Sequence, residues 1–293
     1  MANLKDLQTR ISSVKSTQKI TRAMQMVAAA KLRRSQERAE AARPYSERLA
    51  GVLSNLASST KDSPSAPRLL AGTGKNDVHL LVVATADRGL CGGFNSSIIR
   101  LAREHIARLR NEGKTVKLFL VGKKANDMLK RQYESLIVEA RDFAQLRDVG
   151  FDYAQSVGEQ ILKLFADEEF DVCSVFYAKF QSVVTQIPTA HQLIPPTLGD
   201  VAEDEDVAAT PYEYEPDEEE ILDKILPLNL NAQIYHAILE NAASEQGARM
   251  SAMDNATRNA GDMIDGLTLQ FNRTRQAIIT TELIEIISGA ESL

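Results

Sequence analysis

The chain has 293 residues, 44% of them hydrophobic, with 9 Phe, 7 Tyr and no Trp. That much apolar material excludes wholesale disorder, while so few aromatics suit long helices better than a globular enzyme. The formal charge of −6 argues against nucleic acid as a partner, and no stretch approaches the roughly 20 apolar residues that a bilayer span needs.

Residues 1–58 read as one long coiled-coil helix. Leu4, Leu7, Ile11 and Val14 open a heptad seam that continues through Met24, Ala28, Leu32, Ala39, Ala42, Leu49, Val52 and Leu56. Steps averaging 3.5 residues keep one stripe turned toward a partner helix. The alanines at 28–30 keep the middle narrow, so a second helix can come close. Pro44 is the difficulty: inside a helix it costs about 3 kcal/mol, and it predicts a kink. Residues 1–50 carry eleven Lys/Arg against four acids. Lys31, Arg33 and Arg34 form a basic collar, which is either a solvated face or a partner surface. No aromatic residues interleave these bases, as nucleic-acid stacking would ask.

By composition residues 59–76 are a linker, and the periodicity then changes. Residues 77–195 form a small central α/β domain, Rossmann-like in its alternation of elements. Val78–Ala84 is a short continuous apolar run suited to a buried parallel strand. Further strands are expected at Val116–Gly122, Val172–Tyr177 and Ser182–Ile187, with helices near 96–110, 123–131 and 153–165. The glycine-rich stretch from Asp87 to Asn95 lies between a strand and a helix, where phosphate loops occur. It lacks the Gly-Lys-Ser/Thr ending of a P-loop and the GxGxxG spacing, and a tight turn accounts for it as well. Cys91 and Cys173, the only cysteines, have no metal or CxxC spacing; they imply neither a disulfide framework nor a catalytic thiol. The four histidines are scattered, and His79, in a buried strand, reads as a satisfied core residue. No catalytic, cofactor or metal constellation emerges.

Residues 196–217 are an acidic linker; from 200 to 220 there are eleven Asp/Glu and no base. Residues 218–293 form the second coiled-coil helix, with Pro227 permitted near its start. Met250, Met253, Ala260, Ile264, Leu267, Phe271 and Ile278 make its seam, with Thr257 and Thr274 filling two slots. Beyond Ile278 aliphatic residues lie on more than one side of the helix, a tip that something should enclose. Matching seams at opposite ends of the chain point to an antiparallel coiled coil with the α/β domain inserted. The residues alone leave two other readings open: a nucleotide-binding enzyme with helical dimerisation arms, and a self-associating scaffold.

Four segments go further. Ile279-Thr280-Thr281-Glu282, with Glu285 and Gly289-Ala290-x-Ser292, matches a family signature at every defined position. Ser16 to Ala28, Asp87 to Asn95 and Ser244 to Met250 look like that family's other marked segments. On these motifs the whole chain resembles the γ-subunit family of F-type ATP synthases. The resemblance implies a non-catalytic rotor shaft without a cofactor, turning inside a ring of α and β subunits to couple proton flow to ATP synthesis or hydrolysis. It further implies that Arg275, Gln276, Thr280 and Glu282 catch loops of β and α. Met24 would face an acidic lever loop of β, with Arg22, Lys31, Arg33 and Arg34 complementing such loops. Ile286 would lie with the tip in an apolar sleeve. Tyr214 and Glu215 would meet the ε subunit and the c-ring, which alone gives contact with the membrane. An inhibitor protein of the complex is a further partner the family allows. The pair of regulatory cysteines seen in chloroplast relatives has no counterpart here. A start directly in the coiled coil favours a bacterial origin over an organellar one, with the complex on the cytoplasmic side of the inner membrane.

Overall fold

A computed structural model describes residues 4–60, 67–143, 150–196 and 218–291 of the chain. Helix α1 (Leu4–Thr60) and helix α6 (Glu218–Glu291) come from its two ends. Between them lie α2 (Arg68–Ala71), β1 (Val78–Ala84), α3 (Phe94–Asn111), β2 (Thr115–Val121), α4 (Lys123–Tyr133), β3 (Ile137–Arg141), α5 (Phe151–Ala166), β4 (Val172–Phe180) and β5 (Gln186–Ile194). Two compact units result, Met1–Ala29 with Arg249–Leu293, and Ala30–Ala248.

The first unit is an antiparallel helix pair. Thr21 meets Thr257, and Gln25 further along α1 meets Asp254 earlier along α6. Leu7, Ala28, Met253 and Ala260 are buried along the seam. The small side chains at 28 and 260, and Gly261 beside the amide of Gln18, let the helices approach closely.

The second unit is a three-layered α/β fold around a five-stranded sheet of order β3-β2-β1-β4-β5. The first four strands pair in parallel and β5 pairs antiparallel to β4. Central β1 is buried on both faces from His79 to Ala84, which is why its sequence runs apolar without alternation. Helix α3 buries Ile98, Ala102, Ile106 and Leu109 at steps of three and four, and it shares one face of the sheet with α4. The other face is covered by α5 and by Leu230, Ile234, Ala237 and Ile238 of α6. A smaller cluster joins Leu53 of α1, Leu70 of α2, and Leu222 and Leu226 of α6.

Helix α1 runs on through Pro44, within the one long helix expected there. Other expectations are revised. The stretch 59–76 contains α2, whose Leu70 is buried. The strand expected at Ser182–Ile187 lies instead at Gln186–Ile194, because Ser182 and Thr185 close a turn between β4 and β5. The Ser182 amide donates to Thr185 O at 3.0 Å, and the Thr185 amide donates to Ser182 Oγ at 3.0 Å. The β-branched pair Val183-Val184 sits at that hairpin tip, where Val184 is 82% exposed. Pro188, which has no amide to donate, is tolerated because β5 is an edge strand. Short β3, with alternating burial, gave too weak a pattern to foresee.

Candidate partner-binding surface

Two places in the chain could carry function: the glycine-rich loop of the second unit and the end of α6 in the first. In a doubly wound sheet a ligand sits where the strand order reverses, at the C-terminal strand ends; here that is between β1 and β4, and the loop 85–93 follows β1. Its Thr85 and Asp87 side chains, with Asn95 just beyond it, are spent on the fold. The two Asp87 carboxylate oxygens accept the amides of Lys123 and Phe143, each at 2.8 Å. Asn95 Oδ1 accepts the Ala86 amide at 2.9 Å, and Thr85 Oγ1 accepts the Ala125 amide at 2.8 Å. The loop turns on Leu90 and Gly92, both at positive φ.

Past Phe176, the last residue paired to β1, helix α6 takes over the β4 backbone. Asn241 Oδ1 accepts the Ala178 amide at 3.1 Å, and Ser244 Oγ donates to Ala178 O at 2.8 Å. Glu240 accepts the Phe180 amide at 2.7 Å. A Cβ on Gly247 would come 3.1 Å from the Phe180 ring. The motif from Ser244 to Met250 therefore begins by closing α6 onto the sheet. Both cysteines are buried, and burial pushes the Cys173 thiol up. His79 is buried, yet its Nε2 has no hydrogen-bond partner among the described residues, so the expected satisfied core histidine is only half satisfied. Burial, then the nearby Lys114, lowers its pKa. No group of three or more His, Cys, Asp or Glu among the described residues could hold a metal ion.

The end of α6 is the opposite case. Every residue from Ile279 to Ala290 is exposed. Ile279, Leu283, Ile284, Ile286 and Ile287 are each 48–68% open to water. At 100° per residue they span about 160° of the helix circumference, a little under half. Covering them would be worth on the order of 5–10 kcal/mol, taking roughly 1.5–3 kcal/mol for each fully buried aliphatic side chain.

The polar residues expected to contact partners stand out in water too. Arg275, Gln276, Thr280 and Glu282 are exposed on α6. Arg275 and Glu282, seven residues apart, share one face, while Gln276 and Thr280 share another. The Thr280 hydroxyl donates to Gln276 O at 2.9 Å, leaving its lone pairs free to accept. Arg22 is exposed and Met24 half-buried. They lie level with the segment near Asp254, roughly 30 Å along the coil from Arg275 at 1.5 Å per residue, so the expected contact residues fall in two separate zones of the coil. Lys31, Arg33 and Arg34, in the second unit, are exposed; Arg33 pairs with Glu37 at 2.9 Å. Tyr214 and Glu215 lie outside the described residues. Sequence reasoning missed the polar seam slots Gln18, Thr21 and Gln25, although their steps of three and four from Val14 were there to count.

A family model described as ATP synthase matches residues 3–293. The chain belongs to the ATP synthase γ-chain family. The ATP synthase gamma chains of Rhizobium leguminosarum bv. trifolii and Parvibaculum lavamentivorans are 60% and 62% identical to it over the full length of both partners. Among solved structures it resembles the central stalk and c-ring of the Tetrahymena thermophila mitochondrial ATP synthase, with TM-score 0.59, 27% identity, and 81% of this chain and 99% of that one covered. A Euglena gracilis mitochondrial ATP synthase chain has the same fold, with TM-score 0.68, 19% identity, and 99% and 94% covered. In this family the γ chain is a stalk component of the rotary complex and not a catalytic subunit. No helix of the described residues is long and apolar enough to cross a membrane.

Proposed function

We propose that this chain is the shaft through which proton flow in the membrane sector drives ATP synthesis, and through which ATP hydrolysis runs the motor backward. The exposed aliphatic belt from Ile279 to Ile287 carries this reading. A sleeve of α and β subunits around it would bury the belt without directional bonds, as a bearing requires. Ile286, at 68% the most exposed of that belt, gains most from the enclosure. Arg275, Gln276, Thr280 and Glu282 would catch loops of β and α. Met24 with Arg22, and Lys31, Arg33 and Arg34, would meet acidic loops of β as the shaft turns. Exposed ion pairs are worth about 0–1 kcal/mol each, so torque is shared over many of them. Tyr214 and Glu215 form the foot against ε and the c-ring, and the complex sits peripherally on the cytoplasmic face of a bacterial inner membrane. In such a complex an inhibitor protein would act at the same shaft.

Reconstitution tests this. Mixed with α and β subunits, the chain should be required for multisite Mg-ATP hydrolysis. Arg275→Ala or Glu282→Ala should lower assembly or turnover. Tight nucleotide binding or hydrolysis by the chain alone would move function to the glycine-rich loop and sink the reading.

A further inference from the structure

The seam of the first unit turns polar in its middle. From Leu4 the inward slots of α1 run Leu7, Ile11, Val14, Gln18, Thr21, Gln25 and Ala28, every one half-buried or buried. Where leucine would fill three of these slots, two amides and a hydroxyl stand instead. The Thr21 and Thr257 hydroxyls lie 2.7 Å apart, and Thr257 also reaches Met253 O at 2.8 Å. The Thr21 hydroxyl also lies 3.0 Å from Gln18 O, so of the two hydroxyl protons one is donated across the seam and the other to a carbonyl of its own helix. Gln25 Nε2 donates to Asp254 Oδ1 at 3.0 Å, and Gln18 Nε2 donates to Thr257 O at 3.4 Å. The other Asp254 oxygen is taken by Arg258.

Such a layer costs stability relative to an aliphatic one, since its groups give up water and recover only what they find across the seam. What it adds is register. Aliphatic slots repeat every seven residues, so apolar contact alone barely distinguishes one offset from the next. A slip of one heptad would set Thr21 against Met250 or Ile264; each hydroxyl would keep a carbonyl of its own helix, Gln18 O or Met253 O, but the hydrogen bond across the seam would be lost. In one direction it would also set Gln25 against Gly261, which has no side chain to accept its amide.

We propose that Thr21, Gln25, Asp254 and Thr257 are positioning residues that lock the axial register of the coil and so fix how far the aliphatic end of α6 projects. The functional weight of this lock rests on the shaft reading; the lock itself does not.

Spin labels at Ser16→Cys and Gln270→Cys, both exposed sites, report the offset in the full chain, because the native cysteines are buried. The unaltered layer should give one distance, and Asp254→Asn, which still accepts from Gln25, should keep it. With all four residues made apolar (T21V, Q25L, D254L, T257V), thermal unfolding should move upward and a second distance should appear. That second distance corresponds to an axial shift of about 10 Å, seven residues at 1.5 Å rise. The isosteric pair T21V/T257V and the pair Q25L/D254L carry the same test should the fourfold variant fail to fold. A single unchanged distance in the apolar variants overturns the lock. Hydrolysis by the same variants reconstituted with α and β then separates the two ideas. A shifted register with undiminished hydrolysis would leave the lock standing and overturn its link to tip reach.

Discussion

Gly122 shows how narrowly the second unit is built around single positions. It ends β2 at φ +95, and a Cβ there would stand 2.2 Å from Thr85 O, backbone that pairs with Val121 and cannot withdraw. Neither strain nor clash can be relieved alone, so Gly122→Ala should lower unfolding stability by at least about 2–4 kcal/mol. Gly89→Ala, where nothing lies within 4 Å of the new methyl, should fall within about 0.5 kcal/mol. Urea titration of the two variants side by side checks the contrast. Asp171 adds a pH dependence. Burial by itself would raise its pKa, but the Thr73 hydroxyl at 2.6 Å and the Val78 and Asp77 amides at 3.0 Å outweigh that and hold it below the usual value. A depressed folded-state pKa means stability that is present above the unfolded value of about 3.9 and is lost as pH falls through the folded one. Asp171→Asn should therefore cost about 1–3 kcal/mol at neutral pH, and its gap from the parent should close below pH ~4. A gap that stays constant with pH would show that the charge plays no part. The proposed contact residues were a different matter: nothing in the pattern marked Arg275 or Glu282 apart from any solvated pair, and only the family resemblance singled them out.

The helices and the central strands could be read from periodicity, because burial imposes it directly. Central β1, closed on both faces, had to be an unbroken apolar run, and α3 had to repeat at three and four. Periodicity failed where tertiary context decides. Val183-Val184 has strand chemistry but sits in a turn whose Ser182 and Thr185 close the hairpin, and β3 is a short edge strand with only alternate residues covered. The coil was legible in its spacing and misread in its middle. A search for apolar residues steps over Gln18 and Thr21 to reach Met24, although the strict heptad passes through Gln25 and leaves Met24 beside the seam. Polar side chains are bearable in those slots because α6 offers Thr257 and Asp254 at the same level, and that match depends on two segments more than 200 residues apart. The close of α6 onto β4 through Asn241 and Ser244 was equally hidden, since no local pattern distinguishes a capping asparagine from a solvated one.

For the whole molecule the decisive asymmetry is between segments that fold the chain and a segment that does not. The seam of the first unit has its buried members at Met253 and Ala260 on α6, and its half-buried ones continue through Ile278. From Ile279 to Ala290 every residue is exposed, so these residues add little to holding the first unit together. A chain ended at Ile278 should therefore unfold within about 0.5 kcal/mol of the full chain and should be the more soluble of the two, having lost its exposed aliphatic belt. Its partner affinity should behave differently. If α and β enclose the belt, removing it takes away several kcal/mol of burial, and each 1.4 kcal/mol is about a tenfold loss of affinity. The shortened chain should then weaken assembly with α and β by far more than tenfold, with a matching loss of dependent Mg-ATP hydrolysis. Fluorescence titration against the α–β complex, beside urea unfolding of the same two chains, measures both quantities. Equal loss of folding and assembly would mean the end of α6 is ordinary core, and no loss of either would mean that nothing encloses it.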